Sequence, residues 1–354
     1  MKIRHLVPLM IVILALGCAG MPRGSSSGDG ETSWIQTADH WKLALHHYAA
    51  HSRRGGPPLV LLPDVYENAA AYDLDADHAL ARGLADAGID VTVAELRGQG
   101  QSERPTWWNE RRADWTFDHY VEQDLPAIVD AVCRARTAPK VVLGGHGFGG
   151  LAAVVFAEAK PEKVAGLVGL GVAARLTHLN ELHRTLLGKV DDLDWLAEVP
   201  APLGATAPAP FVGSRDSLFD VLLCNGRKLN RQTVADYYAH ALVPVSVGVA
   251  RQIAGWLQHQ SCAAYDGRTD YLAGLAKIKC PILLLSGQVD NLIDPADSRD
   301  LLDRVGSSDK TQRIFSTAND YFDDYGHAAL LIGERATNEV GGYLAEWLAS
   351  RTWP

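Results

Sequence analysis

The chain has 354 residues, of which 47% are hydrophobic and 21% are charged, a composition typical of soluble globular proteins. The formal net charge of -9 at pH 7 and the absence of a long run of Lys and Arg argue against nucleic acid as a partner. No motif with the Cys and His spacing of a metal site is visible, so we expect neither a metal nor another cofactor.

The first residues predict an export signal. Lys2 and Arg4 precede an apolar run, Leu6 to Leu16, that is too short to span a membrane and fits the core of a signal peptide over residues 1–17. The run ends in Ala-Leu-Gly-Cys, which resembles the lipobox of bacterial lipoproteins and implies that Cys18 is acylated. The alternative is an ordinary signal peptide that contains a cysteine, and export follows under either interpretation.

Residues 18–31 are predicted to be the lipidated cysteine and a flexible tether, because their Gly- and Ser-rich composition cannot form a core. Ala19 rather than Asp follows Cys18, which by resemblance to lipoproteins favours the outer membrane. We therefore expect a protein of the bacterial cell envelope that contacts the membrane through its N-terminal lipid anchor.

Strand and helix patterns alternate beyond the tether. The span Trp34–Tyr48 has two alternating stretches around a turn and predicts a hairpin. Further strands are predicted at Pro58–Pro63, Asp90–Glu95, Lys140–Gly145, Val164–Leu170, Pro281–Ser286 and Gln312–Ser316. Helices are predicted at Asp75–Ala87, Phe117–Ala135, Leu151–Ala159 and Ala328–Ala349. This alternation predicts an α/β fold whose mostly parallel sheet has helices on both faces.

The alternation stops at residues 173–279, which contain helical patterns but no strand pair. We predict that this segment is a helical lid over the carboxyl edge of the sheet, where ligands bind in such folds. Residues 32–172 and 280–354 then form the core. The lid should move more than the sheet, because lids belong to the less stable parts of a fold.

A glycine-rich motif, Gly145-His146-Gly147-Phe148-Gly149-Gly150, lies between a predicted strand and a predicted helix. That context is required by the nucleophile elbow, G-x-S-x-G, in which the central residue has a strained backbone. Glycine adopts such a backbone at lower cost than serine. Here the central position is Gly147, which has no side chain.

Other segments complete a resemblance to the α/β-hydrolase family, and this resemblance covers essentially the whole chain after the tether. Residues 95–102 (ELRGQGQS) resemble the D-x-RGHG-x-S segment of that family, and residues 115–118 and 124–128 are similar to acid lipases and polyhydroxyalkanoate synthases. Residues 287–290 resemble its acid turn, and residues 325–327 resemble its histidine loop. The resemblance implies an α/β-hydrolase fold with the chain order nucleophile, acid, histidine.

By this resemblance Asp290 orients an imidazole and His327 is the general base. The amides of Val65 and Phe148 form the oxyanion hole, and Gly147 stands at the nucleophile position. The alternatives are that Asp290 caps a turn and that His327 is an ordinary loop histidine. Asp64 also departs from the family pattern, because Pro63-Asp64 replaces the usual His-Gly and puts a carboxylate near the oxyanion site.

Three functions remain open on this basis. The first is an exported protein with an α/β-hydrolase fold that is impaired in serine-type acyl hydrolysis and retains a pocket for an acyl or apolar ligand. The second is an active ester or lipid hydrolase in which His327 and Asp290 activate water or another nucleophile. The third is a structural envelope protein. Loss of a triad nucleophile costs about a million-fold in turnover, which closes the covalent route through a serine. Whether the chain is an enzyme by another route is left open. We expect Gly147→Ser to create some esterase activity.

Four further cysteines, Cys133, Cys224, Cys262 and Cys280, have three possible pairings in an oxidising compartment. The alternative is four buried thiols that behave as small apolar side chains. We favour a bond between Cys224 and Cys262, because both lie in the predicted lid.

Overall fold

The structure is a computed structural model that describes residues 30–52, 55–106, 109, 111–178, 198–199 and 229–353. The predicted signal peptide, Cys18 and nearly all of the tether lie outside the described residues. So do Cys224 and residues 179–197 and 200–228 of the predicted lid. Predictions about them stay predictions.

An eight-stranded sheet is the centre of the fold. Its strands, in chain order, are β1 (Glu31–Gln36), β2 (Lys42–Tyr48), β3 (Leu59–Leu62), β4 (Val91–Ala94), β5 (Val141–His146), β6 (Val164–Leu170), β9 (Ile282–Gly287) and β10 (Lys310–Phe315). A separate pair consists of β7 (Glu198–Val199) and β8 (Val245–Ser246). Each of the six strands predicted after the hairpin is present within two residues of its predicted bounds.

The spatial order of the sheet is β1-β2-β4-β3-β5-β6-β9-β10. Strand β2 runs antiparallel to both of its neighbours. The other six strands of the sheet after β2, which are β4, β3, β5, β6, β9 and β10 in spatial order, are parallel to one another. The predicted hairpin is confirmed as β1 and β2, with Trp34 opposite Ala44. Strand β1 starts at Glu31, which was assigned to the tether, because Glu31 already pairs with His47.

Strands β3, β4, β5, β6 and β9 are buried at every residue. Strands that are covered on both faces have continuous apolar sequences rather than alternating ones, as Leu59–Leu62 and Ile282–Gly287 do. The predicted α/β-hydrolase fold, with a mostly parallel sheet between helices, is therefore confirmed.

The helices around this sheet are α1 (Leu80–Asp86), α2 (Leu125–Arg136), α3 (Gly147–Ala159), α4 (Arg231–His240), α5 (Val247–His259), α6 (Pro295–Arg304), α7 (Ala329–Ile332) and α8 (Ala336–Ala349). The segment before α2 is a helical turn followed by a π-helical turn, Tyr120–Asp124, instead of one regular helix. The predicted C-terminal helix is two helices, α7 and α8. Its first part ends at Gly333, which has an extended backbone.

Within residues 173–279 the described part of the chain contains helices α4 and α5. The expectation of no strand pair there is wrong, because β7 and β8 form two antiparallel residue pairs. The pair is too short for a hydrophobic alternation to appear in the sequence. Helix α5 carries Ile253 and Trp256 into the core.

Cys133, Cys262 and Cys280 are free thiols. The favoured bond from Cys262 is therefore not formed in this structure, in which that residue packs in the hydrophobic core as a small apolar side chain. Among the described helices, none has both the length and the apolar character that crossing a membrane requires.

Candidate active site

Gly147 is the first residue of α3 and lies in the turn that follows β5. Its φ angle is +50°, a left-handed conformation that glycine adopts without steric cost. Close packing surrounds this turn, because a Cβ atom on Gly149 would overlap the Pro63 carbonyl oxygen at the end of the neighbouring strand. The turn between strand and helix that the motif predicts is present.

The carboxylate of Asp64 occupies the space where a side chain of residue 147 would begin. A Cβ atom built on Gly147 would fall far inside 3.0 Å of Asp64 Oδ2, a separation that real Cβ contacts do not show. Asp64 follows β3 after one proline, and β3 pairs directly with β5, so the ends of the two strands meet. Gly147 and Asp64 are therefore sterically interdependent, since no residue with a Cβ fits beside the observed aspartate.

Both amides of the predicted oxyanion hole point at Asp64. Asp64 Oδ1 accepts hydrogen bonds from the Val65 amide at 2.6 Å and from the Phe148 amide at 3.0 Å. These two amides come from different segments, the loop after β3 and the start of α3. The structure thus brings the predicted pair of amides together around an internal carboxylate.

His327 and Asp290 also lie at this site. His327 Nδ1 is 2.7 Å from Asp290 Oδ2, and His327 Nε2 is 3.3 Å from Asp64 Oδ2. The other carboxylate oxygen of Asp290 accepts the amides of Leu292 and Ile293, which orients the group in the turn after β9. The histidine therefore lies between two carboxylates.

Close packing leaves no space behind the imidazole. Gly171, at φ +56° after β6, lies so near that a Cβ atom there would be 2.9 Å from His327 Cε1. His327 is 1% exposed and Asp64 is 0% exposed. Burial lowers the pKa of His327, but Asp290 and then Asp64 outweigh it and raise that pKa to about 10. At neutral pH the His327 side chain is an imidazolium.

A second buried pair, His146 and Glu67, packs against His327. His146 stacks on His327 with ring centroids 4.2 Å apart, and its Nδ1 lies 2.9 Å from Glu67 Oε2. His146 Nε2 is 3.2 Å from the backbone oxygen of His327. Glu67 Oε2 also accepts the amide of Asp64, at 3.1 Å. His146 therefore packs on the His327 ring and also contacts the backbone of the histidine loop.

Glu67 connects this pair to helix α4. Tyr237, on that helix, donates a short hydrogen bond to Glu67 Oε1, and Glu67 forms an isolated antiparallel bridge with Leu242. Burial raises the pKa of Glu67, but His146 and Tyr237 outweigh it and hold the pKa below its ordinary value. Glu67 is thus a buried carboxylate that joins the loop after β3 to the predicted lid.

A small, mostly apolar cavity lies next to the site. Its volume is about 10 Å³, roughly the space of one water molecule, and its lining includes Phe148, Leu151, Ile253 and Trp256. The two described helices of the predicted lid, α4 and α5, both pack over this end of the sheet. This volume is too small for an acyl chain.

Asp64, His146 and His327 are also a possible set of metal ligands, with ligand atoms within 4.8 Å of one another. Each of these atoms already has a protein partner, since His327 lies between two carboxylates and His146 between Glu67 and a backbone carbonyl. The cluster is therefore satisfied by protein groups alone. The expectation of no metal stays a prediction.

Sequence reasoning placed Asp64 near the oxyanion site but missed that it reaches His327 as well. It also missed Glu67 and Tyr237. The available signal was the segment after β3, in which Asp64 and Glu67 lie three residues apart and follow a buried strand. Tyr237 had no such signal, because nothing in its local sequence connects it to residues 170 positions away.

A family model described as serine aminopeptidase, S33 (Hydrolase_4) matches residues 74–319. Triacylglycerol lipase 2 of Arabidopsis thaliana is 26% identical over 304 residues, which cover 76% of this chain and 71% of the relative. A poly(3-hydroxyalkanoate) polymerase subunit PhaC of Haloferax mediterranei is 22% identical over 332 residues, covering 88% of this chain and 62% of the relative. The chain thus spans less than two thirds of that second relative.

Solved structures share the fold. A soluble variant of monoglyceride lipase from Saccharomyces cerevisiae, determined with a substrate analogue, superimposes with a TM-score of 0.62 at 16% identity. The superposition covers 93% of this chain and 98% of the yeast protein. At this identity the likeness describes architecture only.

Proposed function

Since the chain belongs to the serine aminopeptidase S33 family of α/β-hydrolases, we propose that it is an exported member without serine-type acyl hydrolysis. We propose further that it binds an acyl or other apolar ligand beneath the segment that contains α4 and α5. One observation carries the first part. The carboxylate of Asp64 fills the space beside Gly147 and takes both amides that would stabilise a substrate oxyanion.

Direct activation of water by His327 is less well supported. A general base must be neutral before it accepts a proton, whereas Asp290 and Asp64 raise the pKa of His327 to about 10. The His327 imidazole therefore keeps its proton at neutral pH. The resting site therefore has neither a hydroxyl group at position 147 nor a neutral imidazole at His327.

The apolar ligand is supported by the side chains beside the site. Phe148, Leu151, Ile253 and Trp256 are buried and line the small cavity, and most of the other lining residues are apolar, although Arg175 and Ser261 also contribute. A structural role, with the cavity permanently closed, remains the second candidate. The cavity volume of about 10 Å³ favours that role unless α5 moves.

Location in the cell envelope is proposed from the sequence. The apolar run that ends in Gly17-Cys18 supports export and acylation of Cys18. The membrane partner of this proposal is the bilayer that holds the lipid anchor, with the outer membrane favoured by Ala19.

An ester-hydrolysis assay tests the loss of serine chemistry. The wild-type protein should not cleave 4-nitrophenyl acetate or butyrate above background. Gly147→Ser alone should stay inactive, contrary to the sequence-based expectation, because its Cβ would overlap Asp64. Asp64→Gly combined with Gly147→Ser should gain activity, since this double change frees both amides and supplies a hydroxyl near His327.

Asp64→Gly combined with Gly147→Ala is the matched control, because it frees the amides without adding a nucleophile. It should be inactive. Ester turnover by the wild-type protein that disappears in His327→Ala would contradict the proposal and favour the water-activating function. If Asp64→Gly combined with Gly147→Ser folds well but stays inactive, only a binding or structural function would remain for this protein.

A further inference from the structure

We propose that the exposed edge of the β1–β2 hairpin is a membrane-contact surface. In this proposal the Trp34 ring enters the headgroup layer of an anionic bilayer, and Lys42 and Arg104 lie against lipid phosphates. The inference rests on the proposed lipid anchor at Cys18 and deepens it, because it names the face of the protein that the anchor brings to the bilayer.

Trp34 is an exception to the burial of large apolar side chains. It is 46% exposed, and among the large apolar side chains that the structure describes only Tyr265 is also exposed. A tryptophan has an apolar ring and one N–H donor, so it is stable at the boundary between water and lipid, where tryptophans are enriched. The Trp34 ring thus has the chemistry of a membrane-interface residue.

Strand β1, which carries Trp34, contributes little to the core. None of its six residues is buried, and in the described chain it is the only strand of the eight-stranded sheet for which this is true. It is also an edge strand, whose outer backbone groups have no neighbouring strand. Packing within the fold therefore does not explain a large aromatic ring at this position.

Two contacts hold the exposed ring in place. Lys42 Nζ lies 4.7 Å from the centre of the Trp34 ring, and Trp34 Nε1 donates to the backbone oxygen of Gln101 at 3.4 Å. Both partners are themselves exposed. Because the ring is already ordered at the surface, its insertion into a headgroup layer loses little side-chain entropy.

Two cations lie beside the ring. Lys42 is one, and the Glu103 amide donates to the Lys42 backbone oxygen at 2.7 Å, so that the exposed Arg104 follows directly. The Glu103 carboxylate is paired with Arg111, whose Nε is 3.1 Å away. The charges of Lys42 and Arg104 therefore leave this surface positive in a chain whose formal net charge is -9. This charge complements an anionic bilayer.

The carboxylates of the hairpin do not cancel this charge. Glu31 belongs to the opposite face of β1 from Trp34, because successive side chains of a strand alternate between faces. Asp39 is paired with the buried Arg97, whose Nη1 is 2.7 Å from Asp39 Oδ2. The face that carries Trp34 and Lys42 thus keeps its positive charge.

The length of chain before β1 selects the bilayer as the occupant. Residues 18–29 number twelve, so they span at most about 43 Å even when fully extended. A globular domain of roughly 320 residues is about 50 Å across. This segment enters β1 at Glu31, three residues before Trp34. An acylated Cys18 therefore keeps the β1 edge of the molecule, and not the opposite edge, close to the membrane.

The contact is weak by itself. Two cations and one ring give reversible binding, and stable association with a membrane needs a second signal such as an acyl chain. The anchor therefore holds the protein at the membrane, and the surface of Trp34, Lys42 and Arg104 determines its orientation there.

The first experiment uses the natural lipoprotein in vesicles of phosphatidylethanolamine and phosphatidylglycerol, with bromine atoms on the upper part of the acyl chains. Bromine quenches tryptophan fluorescence only at short range. We expect quenching in the wild-type protein and loss of most of it in Trp34→Phe, which keeps an aromatic ring and the fold. Equal quenching in the two proteins, or none in either, would overturn the inference.

The second experiment measures binding without the lipid. The chain from Ala19 onward, made without its signal peptide, keeps the whole described fold and should float with the same vesicles. Lys42→Gln and Arg104→Gln should each lower the partition coefficient by about five-fold, and vesicles of phosphatidylcholine alone should bind about 20-fold more weakly. Trp34→Ala should lower it by about ten-fold or more, because the exposed ring area is lost.

Matched controls lie in the loop after α5. Tyr265→Ala removes an aromatic side chain that is 53% exposed, and Arg268→Gln removes a cation that is 87% exposed. Both variants should bind vesicles as the wild-type chain does. Circular dichroism and urea unfolding confirm that each variant is folded. If the controls weaken binding as much as the hairpin variants do, the contact is not specific to this surface and the inference is wrong.

Other outcomes separate this surface from the anchor. An acylated natural protein whose lipid-free chain binds no vesicles would overturn the inference and leave the proposed anchor intact. A natural protein without an acyl group, whose binding still depends on Trp34, would contradict the anchor and support the surface. A lipid-free dimer that Trp34→Ala converts to a monomer would overturn the inference, because a second copy of the chain would then be the occupant.

Discussion

At the scale of single residues, the site depends on a pair. Gly147 lacks the side chain that serine-type chemistry needs, and Asp64 supplies a carboxylate in the same space. Each residue makes the other tolerable, because glycine leaves room for the carboxylate and the carboxylate satisfies two amides that would otherwise face a buried void. The effect of a substitution at one of these two positions should therefore depend on which residue is present at the other.

Gly147→Ala should destabilise the protein strongly, by about 2 to 4 kcal/mol. Two causes add: the left-handed backbone costs about 1 to 3 kcal/mol for a residue with a Cβ, and the new methyl group displaces Asp64. Asp64→Gly in the same chain should recover part of that loss. A double-mutant cycle by urea unfolding measures this coupling, and strictly additive effects would show that the two residues do not interact.

His327 should make stability depend on pH. Its pKa is raised from 6.5 in the unfolded chain to about 10, because Asp290 and Asp64 outweigh the effect of burial. A raised pKa stabilises the folded state fully below pH 6.5, and this stabilisation is lost as the pH rises to 10. Each unit of difference corresponds to about 1.4 kcal/mol.

Urea midpoints should therefore fall between pH 6.5 and 10 in the wild-type protein. In His327→Gln the fall should be much smaller, although that variant starts from a lower stability because it leaves buried carboxylates without their partner. If the urea midpoints of the two proteins changed equally with pH, His327 would not be an imidazolium in the folded state.

At the scale of elements, the loop after β3 joins the sheet to helix α4. Asp64 and Glu67 both belong to that loop, and Glu67 binds His146 on the sheet side and Tyr237 on the helix side. Helix α4 is thus connected by two hydrogen bonds, through Glu67, to the His146 ring that stacks on His327. Movement of α4 would change the environment of the site.

Tyr237→Phe should cost about 1.5 to 3 kcal/mol, because a buried carboxylate loses a hydrogen bond. The loss should also speed amide hydrogen exchange in Arg231–His240 more than in Val141–His146. Tyr265→Phe is the matched control, since Tyr265 is 53% exposed, and it should change neither quantity. Equal protection of α4 in both variants would mean that the hydrogen bond does not hold the helix.

At the scale of the whole molecule, the parallel sheet gathers the site from distant parts of the chain. Asp64, Gly147, Asp290 and His327 follow β3, β5, β9 and β10, and Gly171 follows β6. Parallel strands present their carboxyl ends at one edge, where such folds bind ligands. The site therefore uses loops from most of the sheet.

The proposed membrane anchor acts on the molecule as a whole. Cys18→Ser should leave the protein without a lipid and move it from the membrane fraction to the soluble fraction. The reason is the loss of the only predicted acylation site, since interfacial anchoring by acyl chains gains about 0.8 kcal/mol per buried methylene. Mass spectrometry of the N-terminus and fractionation measure this, and unchanged values for both would contradict the lipoprotein assignment.

The sequence by itself determined the order of strands and helices, the parallel core and the turns that carry Gly147, Asp290 and His327. These features depend on local patterns: continuous apolar strands such as Ile282–Gly287, and glycine-rich turns between a strand and a helix. The break in the C-terminal helix was missed because Gly333 alone does not distinguish a kink from an end.

Only the tertiary structure decided what occupies the site. Asp64 and His327 are 263 residues apart, and Glu67 and Tyr237 are 170 apart, so no local pattern records their contacts. The direction of Asp64 depends on how the loop after β3 packs on the start of α3, where the missing Cβ of Gly147 leaves space. The charge on His327 likewise depends on the carboxylates that folding places around it, because burial and neighbouring charges determine a pKa.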